Sequence, residues 1–329
     1  MTETFICAKM QAFFMKAQEV VEKFLILVAE GNLEQAQEFI IEESQGMEKT
    51  ISEHLWIVSI LSLSDTRYII AMHCLEAALK IAPEDMKKKI NENLAVIYND
   101  YAKFSFGIGR SDAEEFFEKS LEMNPQYVAG HFSYAIFLRK MEKYDEAEKH
   151  YRKAFEIDPE FVPAYINLGN LLTEIKRYDE AEEQYEKAVE LRPDDPRTHY
   201  NYAIFLRKME KYDEAEKHYR KALEIDPEFV PARINLGNLL TEMKRYVEAE
   251  EYYKKALEID FDDARIHYNY ARLLREMGRY DEAEKHYRKA LEIEPKFASA
   301  HNNLILLLIE MNRQDEAKEQ YKEALERTQ

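Results

Sequence analysis

The sequence predicts an all-α protein built from stacked helix-turn-helix repeats, and three observations carry that prediction. Turn formers are scarce, with 8 glycines and 9 prolines in 329 residues, spaced among Glu, Lys, Ala, Leu and Tyr, which favour helix. The string AIFLRKMEKYDEAEKHYRKA occurs twice, at 135–154 and at 203–222. The segment Tyr-Asp-Glu-Ala-Glu begins at Tyr144, Tyr178, Tyr212 and Tyr280, with Tyr-Val-Glu-Ala-Glu at Tyr246, so successive starts lie 34 residues apart. A fixed period in this range is the mark of a repeat array rather than of several unrelated domains.

Taken from the N-terminus, residues 1–127 form a divergent helical region. Within it 17–50 is a candidate unit, with Gly31, Ala36 and Ile40 in register. Residues 52–85 make a second, with Ala71, Leu75, Ala78 and Pro83. Residues 86–127 keep Ala113, Phe117 and Pro125 in register but are too long for one unit. The extra residues fall around 101–110, where Phe104-Ser-Phe-Gly-Ile-Gly breaks the helical period, as either a lengthened first helix or an inserted loop. Six regular units follow, at 128–161, 162–195, 196–229, 230–263, 264–297 and 298–329.

The unit 162–195 shows why these residues recur. Two antiparallel helices approach closely only where side chains are small, so Gly169 is expected to face Ala181 across the pair. Tyr185 then fills the wider gap, and Ala188 leaves room for the next unit. Pro193 cannot continue a helix and resets the chain. Two units depart from the pattern: Phe261 stands in place of the closing proline, and Ile305 in place of the small residue of the first helix. The last helix, 314–329, reads as polar enough to cap the array.

Asn-Leu-Gly at 167–169, Ala181, Tyr185, Ala188 and Pro193, repeated at this spacing, resemble the tetratricopeptide repeat (TPR). The resemblance is strong over about the last three-fifths of the chain. It implies a right-handed α-solenoid superhelix whose first helices line a concave face, with the second helices outside. It also implies that the concave groove binds an extended peptide or a partner's helix.

Within that frame the first-helix positions that do not pack are the informative ones. An asparagine recurs at Asn167, Asn201, Asn235, Asn269 and Asn303, preceded by Ser133, and Asn170 and Asn238 extend the row one turn further along. An amide offers donors and acceptors to an extended chain without reading its sequence. The row is similar to the asparagine ladder in the TPR part of the O-linked N-acetylglucosamine transferases. The chain has no room for that family's catalytic domain, so the resemblance implies the binding device alone. The alternative is that each amide bonds backbone of a neighbouring helix. Arg139, Arg207 and Arg275 recur in alternate units, Arg197 and Arg265 start two of the first helices, and Phe132, Tyr200 and Tyr268 flank the row. Pointing inward, these arginines would make basic stations suited to an acidic peptide. The alternative is pairing with glutamates of adjacent units, Glu174 and Glu242 being the candidates. The TPR carboxylate clamp is not expected, since Ile166, Tyr200, Ile234 and Tyr268 stand where it needs lysine.

Composition bounds the rest. A formal net charge of −18 argues against a general nucleic-acid binder, because phosphate binding is driven by Lys and Arg. Cys7 and Cys74 can build neither a disulfide framework nor a cysteine zinc site, and a reducing, cytoplasmic setting is the expectation. The apolar run 24–29 is too short to span a bilayer, and no secretory signal is evident. His131, His199 and His267 recur on first helices, and His150, His218 and His286 on second helices. Members of each series lie two repeats apart, so duplication rather than a shared metal explains them. No nucleotide loop, nucleophile elbow or metal-helix motif is present, and neither catalysis nor a cofactor is expected. The expected partner is a protein or peptide. Self-assembly is the alternative, through the array ends or through the apolar N-terminus with Phe5, Ile6, Phe13, Phe14 and Met15. An RNA-binding solenoid is the remote one.

Overall fold

A computed structural model describes residues 2–30, 32–61 and 67–328, and all of its regular elements among these residues are α-helices. The chain divides into two compact units, 1–171 and 172–329. The first contains α1 (Thr2–Ala29), α2 (Leu33–Glu43), α3 (Glu48–Leu61), α4 (Arg67–Ile81), α5 (Glu84–Gly107), α6 (Ala113–Met123), α7 (Val128–Lys140) and α8 (Tyr144–Ile157). Helix α9 (Val162–Glu174) contains the division. The second unit continues with α10 (Tyr178–Leu191), α11 (Pro196–Lys208), α12 (Tyr212–Ile225), α13 (Val230–Glu242), α14 (Tyr246–Ile259), α15 (Ala264–Glu276), α16 (Tyr280–Ile293), α17 (Ala298–Glu310) and α18 (Gln314–Thr328).

In the second unit each first helix packs on its own second helix, α11 on α12, α13 on α14, α15 on α16 and α17 on α18. Each second helix then receives the next first helix, and neighbouring first helices also touch. Small residues make this possible: Ala215, Ala222, Ala249, Ala256, Ala283 and Ala290 are wholly buried, as are Tyr219 and Tyr287 between them. The sequence places the first-helix glycine opposite the alanine. In the pair α13–α14 it instead makes room for the tyrosine: a Cβ on Gly237 would lie 2.8 Å from Cζ of Tyr253.

Each pair from α7–α8 to α17–α18 turns through one residue in the left-handed region. These are Glu142, Lys176, Glu210, Lys244, Gly278 and Asn312, with φ between 59° and 72°. At Lys143, Lys211 and Arg245 the amide after that residue returns to the carbonyl of Leu138, Leu206 and Leu240, closing the first helix in the manner of a Schellman turn. Acidic residues such as Asp213 and Glu214 in the first turn of a second helix complement its dipole.

A six-residue tie closes each unit onto its predecessor. His131 Nε2 lies 3.1 Å from the Pro125 carbonyl, Tyr165 Oη donates to Pro159, and His199, Arg233, His267 and His301 reach the carbonyls of Pro193, Pro227, Phe261 and Pro295. The tie explains why Phe261 is tolerated where the other units have proline: the acceptor is backbone, and Phe261 keeps it at 2.9 Å.

Three of these histidines make a second contact that reading each series lengthwise does not foresee. Nδ1 of His131 lies 2.9 Å from Nδ1 of His150, and His199–His218 and His267–His286 repeat that distance. Since Nε2 of the first-helix histidine donates to a carbonyl, its Nδ1 is the acceptor and the second-helix histidine supplies the proton. The last unit supports this assignment: Gln320, whose Nε2 can only donate, lies 2.9 Å from Nδ1 of His301. Burial, reinforced by the neighbouring histidine, pushes His150, His218 and His286 down to about 4.

Basic residues at the turns tie successive second helices together. Lys143 pairs with Glu114, Lys211 with Glu182, Arg245 with Glu216, Arg279 with Glu250 and Arg313 with Glu284. Burial raises the Glu250 carboxyl, but hydrogen bonds from Lys254, Arg279 and Tyr270 outweigh it and hold it at about 2.

In the first unit the same pairing holds for α3–α4, α5–α6 and α7–α8, with α1 packed on α2, α3 and α4. The extra residues of 86–127 enter α5, which runs 24 residues to Gly107, so the added length is helix rather than loop. Tyr101 and Phe104 on it both meet Tyr68, and Tyr101 also packs edge-on against Phe116 with ring centroids 4.5 Å apart. Gly31, residues 62–66 and the side chains of Phe5, Ile6, Phe13 and Phe14 lie outside the described residues. At the other end α18 departs from the polar cap expected of it, because Tyr321 and Leu325 are 55% and 46% exposed.

Candidate peptide-binding face

In the second unit α11, α13, α15 and α17 bury one face, for example Tyr270, Ala271 and Leu274 of α15, and turn the preceding asparagine away from it. Asn201, Asn235, Asn269 and Asn303 thereby form a half-buried row on consecutive first helices. Their bonds are internal. Asn201 Nδ2 donates to the Arg197 carbonyl (2.7 Å), Asn269 to Arg265 (2.8 Å), and Asn303 to Ser299 (3.1 Å). Asn235 and Asn303 also donate to the hydroxyls of Tyr200 and Tyr268, both at 2.9 Å. Because a carbonyl can only accept, the amide nitrogen is the group engaged in Asn201, Asn269 and Asn303. Asn303 has both N–H groups engaged, Asn201 and Asn269 each keep one, and all three keep Oδ1 as an acceptor for a ligand. Asn238 serves the core instead, accepting from Tyr253 Oη at 2.9 Å.

Tyr200 and Tyr268 bridge one first helix to the next unit. Tyr200 meets Phe229 edge-on at 5.3 Å, and Tyr268 meets Phe297 at 4.9 Å. The alternating aromatics are thus supports for the asparagine row.

The arginines divide into three groups. Arg197 and Arg265 close back on Asp195 and Asp263, the N-cap residues of their own helices. Arg207 forks onto Glu242 and Arg275 onto Glu310, with Nε–oxygen distances of 2.9 and 2.8 Å. These are bidentate pairs between adjacent units. Arg272 differs: its guanidinium sits 6.0 Å from the Tyr268 ring centroid and 3.4 Å from Asn269 Oδ1. No carboxylate among the described residues pairs with it. A polar depression of about 280 Å³ opens beside it, lined by Thr241, Glu242, Arg272, Arg275, Glu276 and Asn303.

The structure therefore brings Asn269, Asn303, Tyr268, Arg272 and Arg275 together on α15 and α17, with Asn201, Tyr200 and Arg207 on α11 and Asn235 on α13 further along the row. Asn167 and Asn170 lie on α9 and Arg139 on α7, and Asn167 donates to its own helix at Pro163, 2.9 Å away. Arg272 is the residue that sequence reasoning missed. It occupies the column of Asn170 and Asn238, and comparing the columns residue by residue would have exposed it.

A family model described as the cilia and flagella-associated protein 70 C-terminal domain matches residues 119–329, well over half of the chain. No curated protein matches the sequence. Among solved structures, a tetratricopeptide repeat protein from Parabacteroides merdae has a TM-score of 0.57 at 17% identity, covering 78% of this chain and 98% of that one. Yeast Tom70 has a TM-score of 0.54 at 18% identity, over 89% of this chain and 60% of its own. Pseudomonas aeruginosa pilF has 0.52 at 22%, over 64% and 97%. At these identities the likeness is one of fold.

Proposed function

The chain belongs to the family of the cilia and flagella-associated protein 70 C-terminal domain, a tetratricopeptide-repeat family, and on that premise we propose that it is a protein-interaction scaffold. Its first-helix face in 196–329 takes an extended peptide carrying acidic side chains. The observation that carries this reading is Arg272, a guanidinium without a carboxylate partner beside a row of asparagine Oδ1 acceptors. Backbone N–H groups of the peptide bond to Oδ1 of Asn201, Asn235, Asn269 and Asn303, which gives affinity without sequence. An aspartate or glutamate side chain meets Arg272 and selects the ligand. Arg207 and Arg275 hold the rim of the face through their glutamate partners, and Asn238 keeps Tyr253 in place beneath it.

Selection from a display library of random peptides tests the proposal. Wild-type protein should enrich acidic sequences. Arg272→Glu should lose them by roughly tenfold or more in affinity, the size of one charge-assisted contact. Equal retention of the same peptides by both proteins, or no acidic enrichment, would overturn the reading.

A further inference from the structure

The last repeat differs from those before it in columns that otherwise hold their character. The small residue of the first helix, Ala135, Gly169, Ala203, Gly237 or Ala271, becomes Ile305. The polar residue four further on, Arg139, Thr173, Arg207, Thr241 or Arg275, becomes Ile309. The glutamate of the second helix, invariant as Glu114, Glu148, Glu182, Glu216, Glu250 and Glu284, becomes Lys318. All three line one groove of about 670 Å³ on the outer side of α17 and α18, completed by Ala317, Tyr321 and Leu325.

One repeat earlier the equivalent surface is occupied. Helix α17 covers α16 and touches α15, and there Tyr287 is 0% and Leu291 7% exposed, against 55% and 46% for Tyr321 and Leu325. The array thus shows what fits the groove: an amphipathic helix followed by a turn. It also shows which charge is wanted. Glu284 receives Arg313 from the turn that follows its covering helix, and Glu250 receives Arg279. Lys318 reverses that partner. Its one ion pair among the described residues is with Asp315, a residue 97% exposed, and Lys322 beside it has none. Another copy of this repeat would set an arginine against Lys318, and like charges across an interface cost affinity. An apolar lining with a basic edge calls for a partner helix with an acidic turn.

We propose that the groove of Ile305, Ile309, Tyr321 and Leu325 docks an amphipathic helix of a partner protein, with a carboxylate of that partner meeting Lys318. This surface is separate from the first-helix face and does not depend on the reading given to it. The probes are two fluorescent peptides spanning residues 298–316 of this chain, which reproduce the covering helix and its turn. One has the native sequence and one carries Arg313→Glu. Titrated with the full chain, the Arg313→Glu peptide should bind about tenfold more tightly than the native one. Lys318→Glu in the protein should reverse that order, and Tyr321→Ser with Leu325→Ser should abolish both. Peptides that fail to saturate, or that bind alike to wild type and Lys318→Glu, would overturn the proposal. So would a dimer in light scattering that Leu325→Ser dissolves, since the groove would then belong to a second copy.

Discussion

Replacing His150, His218 and His286 together by glutamine is expected to leave stability at neutral pH nearly unchanged and to reduce the protein's sensitivity to mild acid. The last unit supplies the reasoning, because Gln320 donates to His301 at the same 2.9 Å as the histidine pairs. Burial holds the second-helix histidines at about 4, below their usual 6.5. The unfolded chain therefore takes up protons first as pH falls. The stability of the neutral pairs is complete above about pH 6.5 and is lost progressively toward pH 4. At pH 5.5 such a displacement, discounted for partial exposure, costs on the order of 1 kcal/mol per group, so the three together cost a few kcal/mol. His131, His199 and His267, also pushed down by burial, add to the loss in the same direction. Each pair faces a tyrosine ring, Tyr134, Tyr202 or Tyr270, 4.6 Å from the second histidine. Lys149 adds a like charge at His150, while Glu282 and Arg279 oppose one another at His286. Paired carboxylates such as Glu250 titrate at lower pH and leave this window to the histidines. Urea unfolding from pH 7.5 to 5.5 measures the effect. A wild-type midpoint that does not move over that range, or a glutamine variant that follows the same slope, would refute the reasoning.

Four further outcomes follow from the geometry. Glu210→Gly and Lys244→Gly should each stabilise by about 0.5–1 kcal/mol in thermal melts, because both residues sit at φ 59°, while Gly278→Ala should cost a similar amount through the backbone alone. Gly237→Ala should destabilise by about 1 kcal/mol despite alanine's better helix propensity, since its Cβ meets the buried Tyr253 ring. Tyr253→Ala should cost about 3–5 kcal/mol in urea unfolding by leaving a ring-sized cavity in α13–α14. Deleting 196–263 joins Asp195 to Ala264 in register, and circular dichroism should report a shorter array of undiminished helical content per residue.

Much of this molecule is readable one residue at a time. The 34-residue period, the alanine and tyrosine columns and the closing prolines dictate paired helices, because helix contact distance depends on side-chain size at fixed spacing. The extra residues of 86–127 are legible in the sequence as either a longer helix or a loop, and the choice is left open because glycines at 107 and 109 signal a break that the chain postpones to the end of α5. In the last repeat Ile305 reads as a departure in the sequence itself, while Ile309 and Lys318 gain their meaning only beside the covered neighbour, which shows what the three expose.

Other features belong to the tertiary structure alone. That Asn201 and Asn269 spend their amide nitrogens on their own helices, while Asn235 and Asn303 reach tyrosines of the preceding first helix, depends on rotamer and on the neighbour 35 residues away. That Arg275 is neutralised by Glu310 while Arg272 is not depends on which side of α15 each faces. The histidine pairs arise because residues 19 apart meet across a helix hairpin, whereas comparison along the repeat sets them in separate series. Sequence determined the repeat, because packing acts on residue size at regular intervals. Structure decided which polar groups are spent, because a hydrogen bond or ion pair depends on the approach of two particular atoms.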